Sequence, residues 1–173
     1  IWIVFNFFFV ITLFLSFLIF FFTEQVISIL APGFLLNKSQ FLLANQLLVI
    51  TFPFLIFVTL SSVLSSVLNV RGKFFLPSFL SVILNIFMIL TLVSYKSNSH
   101  FPLAWSMIIA GFTQLILLFI NLGTIKIFWG IGLKSIKILS RELKKFFGRF
   151  LYSLLGSGIV QLNIFISMLF ASL

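Results

Sequence analysis

The chain has 173 residues, of which 62% are hydrophobic, 8% carry charge and 27 are Phe. A soluble domain carries charge on about a quarter of its residues, so a water-facing globule is excluded. With no Cys, only Glu24 and Glu142 as acids, no Asp and His100 as sole histidine, paired-carboxylate catalysis, Ser-His-Asp chemistry, disulfide frameworks and carboxylate or thiolate metal sites are excluded too.

Uncharged runs cover Ile1–Thr23, Ser39–Val70, Phe74–Tyr95, Phe101–Ile125 and Phe150–Leu173. Each exceeds the roughly 20 apolar residues that a helix needs to cross a bilayer. Backbone groups in hydrocarbon must be satisfied internally, which leaves helices or a closed barrel. Barrel strands alternate over about ten residues, whereas these runs are longer and apolar on every side. The expected fold is therefore all-α and integral to the membrane, with about five transmembrane helices.

The first helix, over about 1–30, ends at Ala31-Pro32-Gly33, a turn signal. The second, about 39–70, contains Pro53, whose missing N–H predicts a kink near Val49–Phe52. Thr51 and Thr59 can bond back to the preceding turn there. Arg71-Gly72-Lys73 then makes a tight basic turn. The third helix takes about 74–95, with Pro77 in its opening turn, and the fourth about 102–125, again with a proline at its start. A fifth begins near residue 150.

Between the fourth and fifth lies a basic loop, 126–149. Ile136, Leu139, Leu143, Phe146, Phe147 and Phe150 recur at helical spacing, while Lys134, Lys137, Arg141, Lys144 and Lys145 gather opposite. This predicts an interfacial amphipathic helix with its lysines on anionic headgroups, each adding about 1 kcal/mol of attraction. A solvated loop that merely sets topology is the alternative. If the loops alternate sides, all 11 Lys and Arg except Lys38 and Lys96 share one side. Basic loops stay cytoplasmic, so topology accounts for the net charge of +9 and no nucleic-acid partner is implied. The first run lacks the basic start of a secretory signal. Because the chain opens at Ile1 within one apolar run and reaches Leu173 within another, it reads as an internal piece of a longer polytopic protein.

Polar residues inside membrane helices are the candidate functional positions. Ser61, Ser62, Ser65 and Ser66 form two interleaved pairs four residues apart, a spacing that lets a neighbouring helix approach closely. Either simple packing or a sliding interface would use them. Gly156 and Gly158 loosen the fifth helix beside Gln161 and Asn163, whose amides face either a hydrated cavity or a neighbouring helix. Asn85, Gln114 and Asn121 are single amides suited to bonding between helices. No carboxylate or basic residue lies mid-helix, so no proton relay, cation site or arginine cluster is formed by these segments alone. No metal or cofactor is expected.

The stretch from Leu47 through Thr51-Phe52-Pro53-Phe54, Leu60-Ser61-Ser62-Val63-Leu64, Leu68-Asn69-Val70-Arg71-Gly72-Lys73-Phe74-Phe75-Leu76-Pro77 and Leu84-Asn85-Ile86 resembles the MurJ/MviN family of lipid II flippases. Ala31-Pro32-Gly33-Phe34, Leu103-Ala104-Trp105, Gln161 and Phe170-Ala171-Ser172 agree in order. The resemblance covers nearly the whole chain. It implies an exporter fold of two six-helix bundles around a central cavity, with these five helices as the third to seventh. It also implies movement of a lipid-linked peptidoglycan precursor from the inner to the outer leaflet of the bacterial cytoplasmic membrane, by alternating access. The family's essential arginines sit on its first, second and eighth helices, so this stretch alone is expected not to flip. Its expected partners are membrane lipids and the lipid-linked precursor. Alternatives are another exporter of the same fold, a polysaccharide-lipid flippase or multidrug antiporter, or a non-transporting membrane remnant.

Overall fold

The computed structural model describes residues 2–95, 100–123, 148, 150 and 158–171. It contains α1 (Trp2–Phe21), α2 (Thr23–Leu30), a 3-10 turn (Pro32–Leu36), α3 (Lys38–Thr51), α4 (Phe54–Val70), α5 (Phe75–Ser94) and α6 (Phe101–Leu122). A further helix, α7, spans Gly158–Ala171. No strand occurs among the described residues. The expected interfacial helix, with Lys134, Lys137, Arg141, Lys144 and Lys145, lies outside the described residues, as does Gly156.

Each boundary has a local cause. The chain leaves α1 at Phe22, whose N–H is shared between the carbonyls of Leu18 (3.1 Å) and Ile19 (3.2 Å), a tightening common at helix ends. Asn37 caps α3: its Oδ1 accepts from the Ser39 N–H at 3.1 Å and the Ser39 hydroxyl at 2.7 Å, satisfying an orphan donor of the first turn. Pro53 separates α3 from α4, and the two helices meet at 40°. Thr51 Oγ1 donates to the Leu47 carbonyl at 2.8 Å, tying the last turn before the bend back onto itself.

The end of α4 follows from Gly72, whose φ of +75° is left-handed and favours glycine. The Lys73 N–H reaches the Leu68 carbonyl at 2.9 Å and the Gly72 N–H the Asn69 carbonyl at 3.0 Å. Those two bonds make a Schellman closure. It turns the chain within three residues, so α5 must run back beside α4.

By contact, the chain divides into two units: Ile1–Thr23 with Leu43–Ile127, and Glu24–Leu42 with Phe128–Leu173. In the first, α4 packs on α1 and α6, and α6 packs on α5. Its core joins Phe5, Leu60, Leu64, Leu68, Leu118 and Leu122. The Phe5 and Phe119 rings meet edge to face at 5.8 Å, a favoured aromatic geometry. Gly111 lets α6 come close to α4: a Cβ there would stand 2.8 Å from Phe54 Cδ2 and 3.0 Å from Phe57 Cβ. Small residues admit close helix approach where lipid removes the hydrophobic drive between helices.

The outside of this unit is apolar. Val10, Phe14, Phe17 and Phe21 form an exposed row on α1, and Ile89, Leu92 and Val93 are exposed on α5. Water tolerates no such continuous patch, whereas hydrocarbon does. Val4–Phe21, Phe75–Ser94 and Phe101–Leu122 are each long and apolar enough to cross a bilayer, and the bent pair α3–α4 makes a fourth span if taken as one. At 1.5 Å per residue, the 20-residue α5 is about 30 Å long, the thickness of a bilayer core. The chain is a multi-pass, all-α membrane protein.

Candidate functional site

Polar side chains converge where α4, α5 and one residue of α6 surround an open groove of about 510 Å³. From α4 come Ser61, Ser62, Ser65, Ser66 and Asn69, from α5 Ser78 and Ser81, and from α6 Gln114. Phe54, Val58, Phe74, Pro77, Leu80 and Leu84 complete the lining. The α4 residues form one stripe because positions three and four apart share a helix face. The Schellman turn then sets the first turns of α5 opposite that stripe. Burial follows the same logic: Leu60, Leu64 and Leu68 face the core one step around the helix.

Hydrogen bonding within the groove is uneven. Ser66 Oγ donates to the Ser62 carbonyl at 2.9 Å, a bond inside its own helix. Gln114 is 5% exposed, and its Nε2 donates to the Leu80 carbonyl at 2.7 Å, joining α6 to α5. Ser61 is 2% exposed, yet its Oγ has no hydrogen-bond partner among the described residues, and neither has Ser65 Oγ. Buried hydroxyls are ordinarily paired; Ser16 Oγ on α1 and Asn45 Oδ1 on α3, outside the groove, are likewise without a partner among the described residues. Among the described residues the lining holds no charged side chain. What it offers chemically is a row of neutral donors and acceptors.

The four serines picked out in the sequence thus lie together on one stripe that lines the groove. Pro53 stands at the bend just before it. Gly158 lies on α7, where a Cβ would meet nothing within 4 Å. Gln161 and Asn163 are exposed on α7, in the other unit. Gln114 joins two helices, the role its residue type suggested, whereas Asn121 Nδ2 donates to the Leu117 carbonyl of its own helix at 3.0 Å. Sequence reasoning passed over Asn69, Ser78 and Ser81. The signal was present in the short Arg71–Phe74 link, which makes α4 and α5 neighbours and brings Ser78 and Ser81, three apart, to the serine stripe. Among the described residues no cluster of potential metal ligands occurs.

Comparison with known proteins gives one consistent result. A family model described as "Lipid II flippase MurJ" matches residues 1–173. A protein named probable lipid II flippase MurJ from Buchnera aphidicola subsp. Schizaphis graminum is 39% identical over 157 residues, covering 88% of this chain and 30% of that protein. One of the same name from Aquifex aeolicus is 34% identical over 153 residues, covering 87% and 30%. The lipid II flippase MurJ of Burkholderia cenocepacia is 28% identical over 151 residues, covering 85% and 29%. The chain thus spans about 30% of the length of the curated relatives it matches. Because the family model matches this chain over residues 1–173, the chain belongs to the lipid II flippase MurJ family.

Proposed function

We propose that this chain forms part of a transporter that carries lipid II from the inner to the outer leaflet of the bacterial cytoplasmic membrane. The observation that carries the proposal is the family match across residues 1–173. The physics of the task agrees with it. A sugar- and peptide-bearing headgroup cannot cross hydrocarbon unaided, because each unpaired polar group costs several kcal/mol there. A transporter of such a molecule needs neutral polar surface between apolar helices, and the α4–α5–α6 groove supplies it. Four spans up to about residue 125 belong, in this proposal, to one bundle and α7 to the next, with Gln161 and Asn163 on the substrate pathway. Arg71, Lys73 and the basic stretch 126–149 lie at the cytoplasmic face, where Lys134, Lys137, Arg141, Lys144 and Lys145 contact anionic headgroups.

A chimera tests this reading. The chain replaces the matching stretch of the Burkholderia cenocepacia relative, and lipid II translocation is measured in cells depleted of their own flippase. The chimera is expected to restore translocation and growth, and the chain expressed alone to restore neither. A chimera that reaches the membrane but leaves lipid II on the inner leaflet contradicts the proposal. Orientation has its own check: cysteines at Lys38 and Lys96 should react with an impermeant thiol reagent from outside, and one at Lys137 only after the membrane is opened.

A further inference from the structure

We propose that the α4–α5–α6 groove is the subsite that reads the uncharged sugar and amide portion of the transported headgroup, with Ser61 and Ser65 supplying its deepest hydrogen-bonding groups. The proposal rests on the flippase reading and adds to it which part of the substrate binds where.

Four observations converge on it. The groove's volume, about 510 Å³, falls within the roughly 300–1,000 Å³ of small-ligand pockets. Among the described residues its polar lining is neutral: six serines, one Asn and one Gln. A pyrophosphate would lose its hydration there without gaining a counter-charge, whereas hydroxyls and acetamido groups exchange one neutral hydrogen bond for another. Ser61 is almost wholly buried in the lining and its Oγ has no partner among the described residues. A lipid tail cannot satisfy that hydroxyl, and its staggered rotamers let it be re-aimed toward a ligand. Finally, the basic turn Arg71-Gly72-Lys73 joins the two walls, one residue beyond Asn69 and directly before Phe74. An anionic group held at that turn leaves the sugars attached to it within reach of the groove.

Phe54, Phe74 and Pro77 provide apolar faces among the polar ones. Such a mixture suits a saccharide, which presents C–H faces and hydroxyl edges together. A second helix seated in the groove is the competing occupant, and the experiment separates the two.

The protein expressed from its complete gene is placed in lipid nanodiscs and titrated with two probes. One is lipid II; the other is undecaprenyl pyrophosphate, which has the tail and both phosphates but no sugar. The double variant S61A/S65A should bind lipid II about 10-fold more weakly, the loss expected for two neutral hydrogen bonds. Its affinity for undecaprenyl pyrophosphate should match the unmodified protein. In a parallel measurement, S81C on the opposite wall should react with a water-soluble thiol reagent, and lipid II but not undecaprenyl pyrophosphate should slow that reaction. Unchanged lipid II binding by S61A/S65A overturns the proposal, as does equal weakening for both probes. An unreactive S81C overturns it as well, because the groove is then filled by protein. Failure of the unmodified protein to bind or flip lipid II would remove the flippase reading itself. Flipping that survives without any groove effect removes only the subsite.

Discussion

Along α4, the side that meets α6 and the side that meets α5 differ in both packing and chemistry. Toward α6 lie Leu60, Leu64 and Leu68, with Gly111 drawing the backbones together until no Cβ fits between them. Toward α5 lie the serines and Asn69, around an open groove with two hydroxyls unpaired among the described residues. Both sides belong to one helix of 17 residues, so neither helix propensity nor membrane depth accounts for the difference. Lipid gives no hydrophobic reason for helices to associate, so the first side holds by dispersion between closely fitted atoms. The second side, polar and poorly fitted, contributes little to holding the bundle.

This contrast sets a ranking of effects. Leu64→Ala removes a fully buried side chain from the fitted side and should cost about 3 kcal/mol through the cavity it leaves, read as lost thermal stability in detergent. Gly111→Ala on the same side forces the Phe54 ring and the Phe57 Cβ to move; a cost of about 1–2 kcal/mol is expected by the same assay. A Gly111→Ala variant as stable as the parent would show that the α4–α6 contact is looser than described. Gln114→Leu deletes the bond to the Leu80 carbonyl and should cost about 1 kcal/mol, the usual size of an interhelical bond in lipid. Ser66→Ala, on the groove side, removes only a bond to its own helix and should change stability by less than about 0.5 kcal/mol. A larger loss for Ser66→Ala than for Leu64→Ala would reverse the assignment of the two sides.

What could be read from the sequence was what local chemistry decides. Uncharged runs longer than a bilayer core give the membrane helices, and the missing N–H of Pro53 gives the bend. Gly72 with its basic neighbours gives the sharp turn. Other features depend on partners that a linear reading does not supply. The interruption at Phe22 has no proline or glycine to mark it, since a shared hydrogen bond ends that helix. The four serines were visible as one small-residue stripe, and the structure sets that stripe along the groove, while Gly111 on α6 stands against Phe54 and Phe57. Which of two small-residue positions meets a neighbour depends on the register between helices, and that register is set by the leucines at Leu60, Leu64, Leu68, Leu118 and Leu122. Ser78 and Ser81 stood out in nothing but their proximity to the turn. Only the antiparallel return of α5 places them on the groove that Ser61 and Ser65 also line.

The division of α4 into a dry side and a wet side is open to one direct measurement. The chain has no cysteine of its own, so single cysteines can be placed along α4 without background. Opened membranes are treated with a water-soluble thiol reagent, and the rate is measured at residues 60, 62, 64, 66, 68 and 69. The account predicts rapid reaction at the exposed positions Ser62, Ser66 and Asn69 and none at Leu60, Leu64 and Leu68. Equal rates on the two sides, or silence on both, would contradict it.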